Sequence, residues 1–160
     1  MPYYTPNMAT GRAFDVPVGT TKLPPSLRNI LEKISDKYTN NKKSILEHLP
    51  EQGVVLLNTA LTVEKNMPNS HKSLWAPFTV ELIKIINERN NGLIFLLWGN
   101  NALKYIPYID YNKHVVIGSS HPSPLSNSKN CGTFPPFSEI NCFELANITL
   151  KVLKEKPILW

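Results

Sequence analysis

Three segments of the sequence carry side chains that could take part in chemistry, and each stands at the end of an apolar run. His121 opens the segment His-Pro-Ser-Pro-Leu-Ser, while Asn58 and Asn100 each end an apolar run. An imidazole can donate a hydrogen bond or move a proton near neutral pH, and an amide offers a donor and an acceptor side by side. Each could also be an ordinary loop or turn residue, so a site requires that the fold bring them together.

Three continuous apolar runs predict the strands of a parallel β-sheet. They cover residues 53–59 (GVVLLNT), 92–99 (GLIFLLWG) and 114–120 (HVVIGSS). Unbroken hydrophobicity is typical of strands that are covered on both faces. In an open parallel sheet the ligand crevice lies outside the carboxyl ends of the strands, so we expect Asn58, Asn100 and His121 at one site.

Helical patterns fill the intervals between these runs and predict an α/β fold. The helices begin at Pro24-Pro25-Ser26, around Phe78, after Gly99 and near Ser138, and the last one ends near Lys154. The alternation favours three layers, α/β/α, around a short parallel sheet in a single domain. The residues expected to face inward are Leu27, Ile30, Leu31 and Ile34, then Phe78, Leu82, Ile85 and Ile86, then Ala102, Leu103 and Ile106, and finally Phe143, Ala146, Leu150 and Leu153.

The composition favours one globular domain and argues against several classes of protein. The chain has 160 residues, of which 42% are hydrophobic and 18% charged. Its net charge of +5 comes from scattered lysines, which suits a solvated surface better than a polyanion partner when charge alone is considered. The two cysteines, Cys131 and Cys142, form no CxxC motif, so neither a metal site nor a disulfide framework is expected. Without a membrane-spanning run or a signal segment, we expect a soluble intracellular protein with no membrane contact.

At His-Pro-Ser-Pro-Leu-Ser the sequence resembles the uracil-DNA glycosylase family. The resemblance runs from Pro2 to the C-terminus, and its supporting segments occur in the family's order. SHKSL (70–74) and ELAN (144–147) fit the family as well. The main segments are PYYTPNMATGRAF (2–14), similar to the end of the Gly-Gln-Asp-Pro-Tyr motif; LPPSL (23–27), the proline-rich loop; GVVLLNTALTV (53–63), the asparagine strand; FLLWGN (95–100), the Gly-Ser loop strand; and HPSPLS (121–126), the leucine loop.

The resemblance implies a pocket that reads a uracil flipped out of DNA. Phe14 would be the ring on which the base stacks, and Asn58 would bind O4 and N3–H of uracil. Tyr3 would exclude thymine by a clash with its C5 methyl group. His121 would donate a hydrogen bond to O2 and stabilise the anionic base as it leaves.

The resemblance also implies which residues hold the DNA. Leu125 would enter the stack that the base has left. The implied partner is uracil-containing DNA, single- or double-stranded, bound by a monomer without a metal or other cofactor, in the nucleus or the cytoplasm depending on the host. The residues implied to contact phosphates are Ser26, His71, Asn100 and Ser123.

Three positions depart from the family pattern. Asn100 stands where the family has serine, and the segment from Ser126 to Phe143 is several residues longer than usual. The family's catalytic aspartate precedes the proline matched by Pro2, and that position here is Met1. We therefore expect an N-terminally incomplete domain that lacks the family's first, interior strand and is poorly stable alone or pairs differently. Asp15 is the alternative carboxylate, although the family needs no acid beside Phe14.

Two functions follow from these observations. The first is a uracil-DNA glycosylase of base-excision repair, which hydrolyses the N-glycosidic bond of deoxyuridine and leaves an abasic site. The second is a homologue impaired in catalysis that keeps the DNA-reading loops and serves as a binding module or as a replication or repair partner. A small doubly wound nucleotide-binding protein is a third interpretation, but the sequence contains neither GxGxxG nor a P-loop.

Overall fold

The structure is a computed structural model that describes residues 1–3, 5, 7–34 and 44–160. Tyr4 and Pro6, which belong to the first family-like segment, lie outside the described residues. Among the described residues, none of the helices combines the length and apolar character needed to cross a membrane. In chain order the elements are α1 (Pro25–Leu31), a 3-10 turn (Pro50–Gln52), α2 (Lys72–Arg89), β1 (Ile94–Trp98), α3 (Asn100–Leu103), a second 3-10 turn (Ile106–Tyr108), β2 (Val115–Ser119) and α4 (Cys142–Val152).

The strands β1 and β2 form a parallel ladder, which confirms the predicted sheet type. Ile94 lies opposite Val115 and Trp98 lies opposite Ser119. The ladder continues one step past β1, where the Gly99 amide donates to the Ser119 carbonyl over 2.9 Å. The two strands therefore end side by side, and the segments that follow them start from one edge.

Helices cover both faces of this sheet. Successive strand residues point to opposite sides, so they pack against different helices. On one face, Leu97 packs with Ile83 of α2 and with Tyr105, which follows α3. On the other face, Ile117 packs with Ile30 of α1 and with Phe143 of α4. The predicted α/β/α layering is confirmed by these two clusters.

The first predicted strand is wrong: residues 53–59 carry no strand ladder. Backbone bonds of this segment go to neighbouring loops, since the Val54 amide donates to Leu49 over 3.2 Å and the Ala13 amide donates to Leu56 over 3.0 Å. A strand exists only where a neighbouring strand completes its hydrogen bonds, and hydrophobicity alone does not supply one. Leu57 still packs into the α2 face of the core.

The prediction of which face of α2 points inward is also wrong. The buried residues of this helix are Thr79 and Ile83, whereas Phe78 is 48% exposed and Ile85 is 45% exposed. The helix carries apolar residues on two stripes, so periodicity did not determine which stripe meets the sheet. The Thr79 hydroxyl, which donates to the Thr59 carbonyl over 3.0 Å, lies on the stripe that does.

Helix α4 agrees with its predicted core residues better than with its predicted ends. Phe143 and Ala146 are buried as expected, while Leu153 lies beyond the end of the helix and is 39% exposed. The helix begins at Cys142 because the side chain of Asn141 accepts a hydrogen bond from the Glu144 amide over 3.3 Å, as an N-cap does.

The long segment that follows Ser126 folds back onto the sheet. Its Phe137 is 1% exposed and lies with its ring 5.3 Å from the Trp98 ring, centroid to centroid. Phe134 covers Gly118 of β2 so closely that a Cβ at this glycine would overlap the ring. The extra length of this segment therefore contributes to the core instead of forming a loose loop.

We predict that Gly118→Ala destabilises the protein by about 1–3 kcal/mol, because the added methyl group overpacks the contact with Phe134. Urea unfolding of the single variants and of Gly118→Ala/Phe134→Ala measures the effect. In the double variant the ring is gone, so the cost should be clearly smaller than the sum of the two single costs. Additive costs would contradict the proposed close contact.

Candidate active site

A cleft of about 860 Å³ opens at the carboxyl ends of β1 and β2. The lining residues come from the N-terminal loop, the start of α1, the segment after residue 57 and the loops after both strands. One predicted site residue, His71, is not among them. The predicted residues that line the cleft are Tyr3, Phe14, Ser26, Asn58, Asn100, His121, Ser123 and Leu125.

His121 is held in one orientation and one tautomer. Its Nδ1 accepts a hydrogen bond from the Ser123 amide over 3.1 Å, so in the neutral ring the proton is on Nε2. Burial lowers the pKa of His121 below its ordinary value of 6.5 because desolvation disfavours the charged ring. At neutral pH the side chain is therefore a neutral imidazole with one N–H free to donate.

Gly99 sets the distance between the end of β1 and His121. A Cβ on this residue would lie 2.8 Å from the Cβ of His121, which is closer than side chains approach one another. Gly99 also has a φ of 79°, in the region that favours glycine. Only glycine satisfies both conditions, so the glycine after β1 is needed to place the imidazole.

Phe14 lies between two other rings at the base of the cleft. Its ring centroid is 5.5 Å from that of Trp98 and 5.6 Å from that of His121. The backbone of Phe14 has a φ of 64°, which is uncommon for a bulky residue. The Tyr3 hydroxyl donates to the Phe14 carbonyl over 3.0 Å and so supports this conformation.

Tyr3 remains a neutral phenol throughout the physiological range. Burial, together with the charge of nearby Asp15, raises the pKa of Tyr3 to about 12. Its ring lines the cleft beside Phe14. Tyr3 therefore acts as a hydrogen-bond donor to the backbone and as an apolar wall of the pocket.

Asn58 lines the cleft, and its side-chain amide forms no hydrogen bond with another described residue. The chain on either side of it is fixed, because Leu56 accepts the amide of Ala13 over 3.0 Å and Thr59 accepts the hydroxyl of Thr79 over 3.0 Å. A fixed backbone with a free amide is suited to bind a ligand that offers an acceptor and a donor side by side.

The rim of the cleft carries small polar groups, one apolar side chain and two lysines. Leu125 is 82% exposed. The side-chain oxygen of Asn100 lies 2.9 Å from the thiol of Cys131, which leaves its amide N–H groups free. Lys22 and Lys72 also line the cleft, and neither forms an ion pair with another described residue.

His71 is turned to other partners. Its Nδ1 lies 2.9 Å from the hydroxyl of Thr62, and its Nε2 lies 3.5 Å from a carboxylate oxygen of Glu64. Both ring nitrogens are therefore engaged at the N-terminus of α2. The geometry does not bring His71 to the cleft with the other predicted residues.

The described residues that line the cleft include no aspartate or glutamate. Asp15, the alternative carboxylate, is 0% exposed and does not line the cleft. It accepts hydrogen bonds from the Leu46 amide over 2.8 Å, from the Thr10 hydroxyl over 2.9 Å and from Arg12 over 3.4 Å. Its role is to join the N-terminal loop to the segment at Leu46.

The described residues contain no group of three or more His, Cys, Asp or Glu side chains that could hold a metal ion.

Sequence reasoning missed several residues of the site. Trp98 supports Phe14, but it was read as part of an apolar strand. Lys22 and Lys72 were not distinguished from the other lysines of the chain. A signal did exist for Lys72, because a cation in the first turn of a helix is unfavourable for the helix dipole and suggests another role.

Comparison with known proteins identifies the family of the chain. A model of the Uracil DNA glycosylase superfamily matches residues 3–143. The uracil-DNA glycosylase of Buchnera aphidicola subsp. Cinara cedri is 44% identical over 163 residues, which cover 99% of this chain and 69% of that protein. The uracil-DNA glycosylase of Fusobacterium nucleatum subsp. nucleatum is also 44% identical, with the same coverage of both chains.

Solved structures agree with these relatives. The crystal structure of mimivirus uracil-DNA glycosylase matches with a TM-score of 0.84 at 33% identity, over 95% of this chain and 60% of that one. A variant of the mimivirus UNG in complex with UGI matches with a TM-score of 0.83 at 34% identity, over 95% of this chain and 61% of that one. The chain thus spans about 60% of the length of these solved structures. Together with the geometry of the cleft, these matches show that the chain belongs to the uracil-DNA glycosylase superfamily.

Proposed function

We propose that this chain binds uracil-containing DNA and acts on the N-glycosidic bond of a flipped-out deoxyuridine, releasing uracil and leaving an abasic site. The observation that carries the proposal is the convergence of Phe14, Asn58 and His121 on one cleft. These residues supply a stacking surface, a paired donor and acceptor, and a neutral N–H donor. That combination matches the face, the edge and the leaving-group oxygen of uracil.

Recognition of the base follows from the walls of the cleft. The ring of Phe14, supported by Trp98, stacks on the pyrimidine. The free amide of Asn58 pairs with O4 and N3–H of uracil. Tyr3 lines the cleft beside Phe14, and we propose that its ring clashes with a C5 methyl group, so that thymine is rejected.

Stabilisation of the leaving group falls to His121. When the bond between C1′ and N1 breaks, its electron pair stays with uracil and negative charge develops on O2. The Nε2–H of a neutral, oriented imidazole is a preorganised donor for that charge. A carboxylate that orients the attacking water is the complementary requirement, and the described residues of the cleft do not supply it.

The rim residues suit the DNA backbone. Ser26 and Ser123 are short donors that approach a phosphate closely, and Lys22 and Lys72 add positive charge at the mouth of the cleft. The exposed Leu125 can enter the space left by the flipped base. Since one chain provides all of these residues, we propose that the protein acts as a monomer on single- or double-stranded DNA.

The first prediction about function concerns the carboxylate that the described residues of the cleft do not supply. A chimera in which aspartate replaces Met1 and the portion of the Buchnera relative that precedes its match is placed in front should release uracil about 10²–10⁴-fold faster than the chain alone, which is the usual contribution of an acid–base group. Single-turnover release from uracil-containing single-stranded DNA measures both rates. The control is the same chimera with asparagine instead of aspartate at position 1.

The outcome also separates the two candidate functions. If the chain alone releases uracil as fast as the chimera, its own residues supply the general base, and the requirement for the carboxylate is wrong. If neither protein releases uracil but both prefer uracil-containing DNA to thymine-containing DNA, the chain is a binding module. If neither shows that preference, the proposed function itself is refuted.

The second prediction assigns His121 to the transition state. In the chimera, His121→Ala should slow uracil release by about 10²–10³-fold, because one preorganised donor to the developing charge is lost. The affinity for uracil-containing DNA should change little, since the neutral base makes weaker use of this donor. Single-turnover rates and fluorescence anisotropy of labelled DNA measure the two quantities. Equal losses of rate and affinity would show that His121 serves binding instead.

The third prediction concerns pH. Because burial lowers the pKa of His121, the release rate of the chimera should stay level through neutral pH and fall only as the pH drops below that lowered value, itself below 6.5. Protonation would place a proton on Nδ1, against the Ser123 amide that donates to it. The same shift lowers folding stability on acidification, since the unfolded chain binds this proton more readily. A pH–rate profile from 4.5 to 8 tests this, and a rate that rises on acidification would contradict it.

A further inference from the structure

The loop that carries Leu125 is bonded to two side chains, one in α1 and one in the turn that directly follows this helix. We extend the name leucine loop, used above for residues 121–126, to residues 120–138, because the segment that follows HPSPLS is bonded back to Ser120. The side-chain amide of Asn29 donates to the Pro122 carbonyl over 2.7 Å. One turn further on, the ammonium group of Lys33 donates to the Ser138 carbonyl over 3.0 Å and lies 5.6 Å from the centre of the Phe137 ring. These contacts join α1 to the beginning and to the end of the loop.

The neck of the leucine loop is closed, so the loop is held together as a unit. The Ser120 amide donates to the Pro135 carbonyl over 3.0 Å, and the Phe137 amide donates to the Ser120 hydroxyl over 2.9 Å. Further out, the Ser138 amide donates to the Asn127 carbonyl over 2.9 Å. A displacement of α1 relative to the neck would therefore be passed to the whole loop.

The position of Leu125 depends on the backbone that carries it. The side chain is 82% exposed, so packing does not hold it. A tight turn does, because the amides of Ser126 and Asn127 both donate to the Ser123 carbonyl, over 2.9 and 2.8 Å. This turn starts directly after Pro122, the residue that Asn29 holds. Without the Asn29 bond, Pro122, the residue directly before the turn, would no longer be held.

The same face of α1 carries a predicted phosphate contact. Ser26 and Asn29 are three residues apart in α1, which places them along one side of the helix, and Lys33 follows just beyond the end of the helix. Ser26 lines the cleft. A rigid turn of helix therefore lies between a group that would bind the DNA backbone and a group that holds the loop of Leu125.

We propose that Asn29 is a positioning residue that fixes the leucine loop to α1 and so couples backbone binding at Ser26 to the insertion of Leu125 into DNA. The proposal rests on the proposed function, because it takes the DNA contacts of Ser26 and Leu125 from there. The essential group is the N–H donor of the amide. Aspartate has the same size but only acceptors at neutral pH, so Asn29→Asp removes the bond and sets two oxygen atoms against each other.

Hydrogen exchange of the chain without DNA tests the contact itself. Asn29→Asp should raise the exchange rates of the amides of Ser123, Leu125, Ser126 and Asn127 about three- to tenfold, as expected for the loss of one hydrogen bond. Asn90→Asp is the matched control, because the Asn90 amide makes the same kind of bond, 2.9 Å to the Ile86 carbonyl, at the far end of α2. Exchange in the leucine loop that is the same in Asn29→Asp as in the unchanged chain would overturn the proposal.

Base flipping tests the coupling. In a duplex with 2-aminopurine beside the uracil, the rise in fluorescence on binding reports the flipping of the base. The equilibrium constant for flipping should be about three- to tenfold smaller for Asn29→Asp. The affinity for single-stranded uracil-containing DNA, which has no stack to fill, should stay the same. In a Leu125→Ala background, Asn29→Asp should have no further effect on flipping, because the residue that it positions is absent.

An equal effect of Asn29→Asp on flipping with and without Leu125 would overturn the proposal, since Asn29 would then act by another route. A failure of the proposed function gives a different result. In that case the unchanged chain would bind uracil- and thymine-containing duplexes alike, while the exchange experiment would still decide whether Asn29 holds the leucine loop.

Discussion

The parallel pairing of β1 with β2 is the constraint on which the rest of the site depends. It aligns the carboxyl ends of the two strands and continues into the bond from the Gly99 amide to Ser119. This bond brings the turn after β1 against His121 at a distance that excludes any Cβ on Gly99. With the imidazole fixed, Phe14 packs against it and against Trp98. The groups proposed to act on the leaving base and to stack on its face are therefore positioned by the sheet itself, although each lies on a loop.

The sequence was sufficient to predict the parts of the fold that depend on local pattern. The runs that became β1 and β2, the Pro-initiated α1 and the buried residues of α4 are each recognisable within a short window. The strand expected at residues 53–59 failed because strand formation requires a bonding neighbour, which a local window does not contain. The prediction for the buried face of α2 was wrong because the helix has two apolar stripes. Tertiary contacts at Thr79 and Ile83 determine which of the two is buried.

For the site, family resemblance located the cleft-lining residues better than it located contacts between side chains. Eight of the nine predicted residues line one cleft, but His71 is bound by Thr62 and Glu64 instead. The bond from Asn29 to Pro122 joins residues 93 positions apart, and no spacing rule reveals such a pair. Asp15 shows the opposite difficulty. Its position beside Phe14 suggested chemistry, whereas complete burial among three donors makes it a structural link.

The contact between Phe134 and Gly118 bears on how this chain could be recombined with its relatives. A loop exchange that replaced the segment around Phe134 with a shorter one would remove the aromatic ring that packs on Gly118 and leave a cavity beside Leu103. Conversely, a larger residue at position 118 would leave the existing segment nowhere to pack. Loop length and strand residue therefore form one module, and hybrids that carry only half of it should fold poorly even when every residue of the cleft is retained.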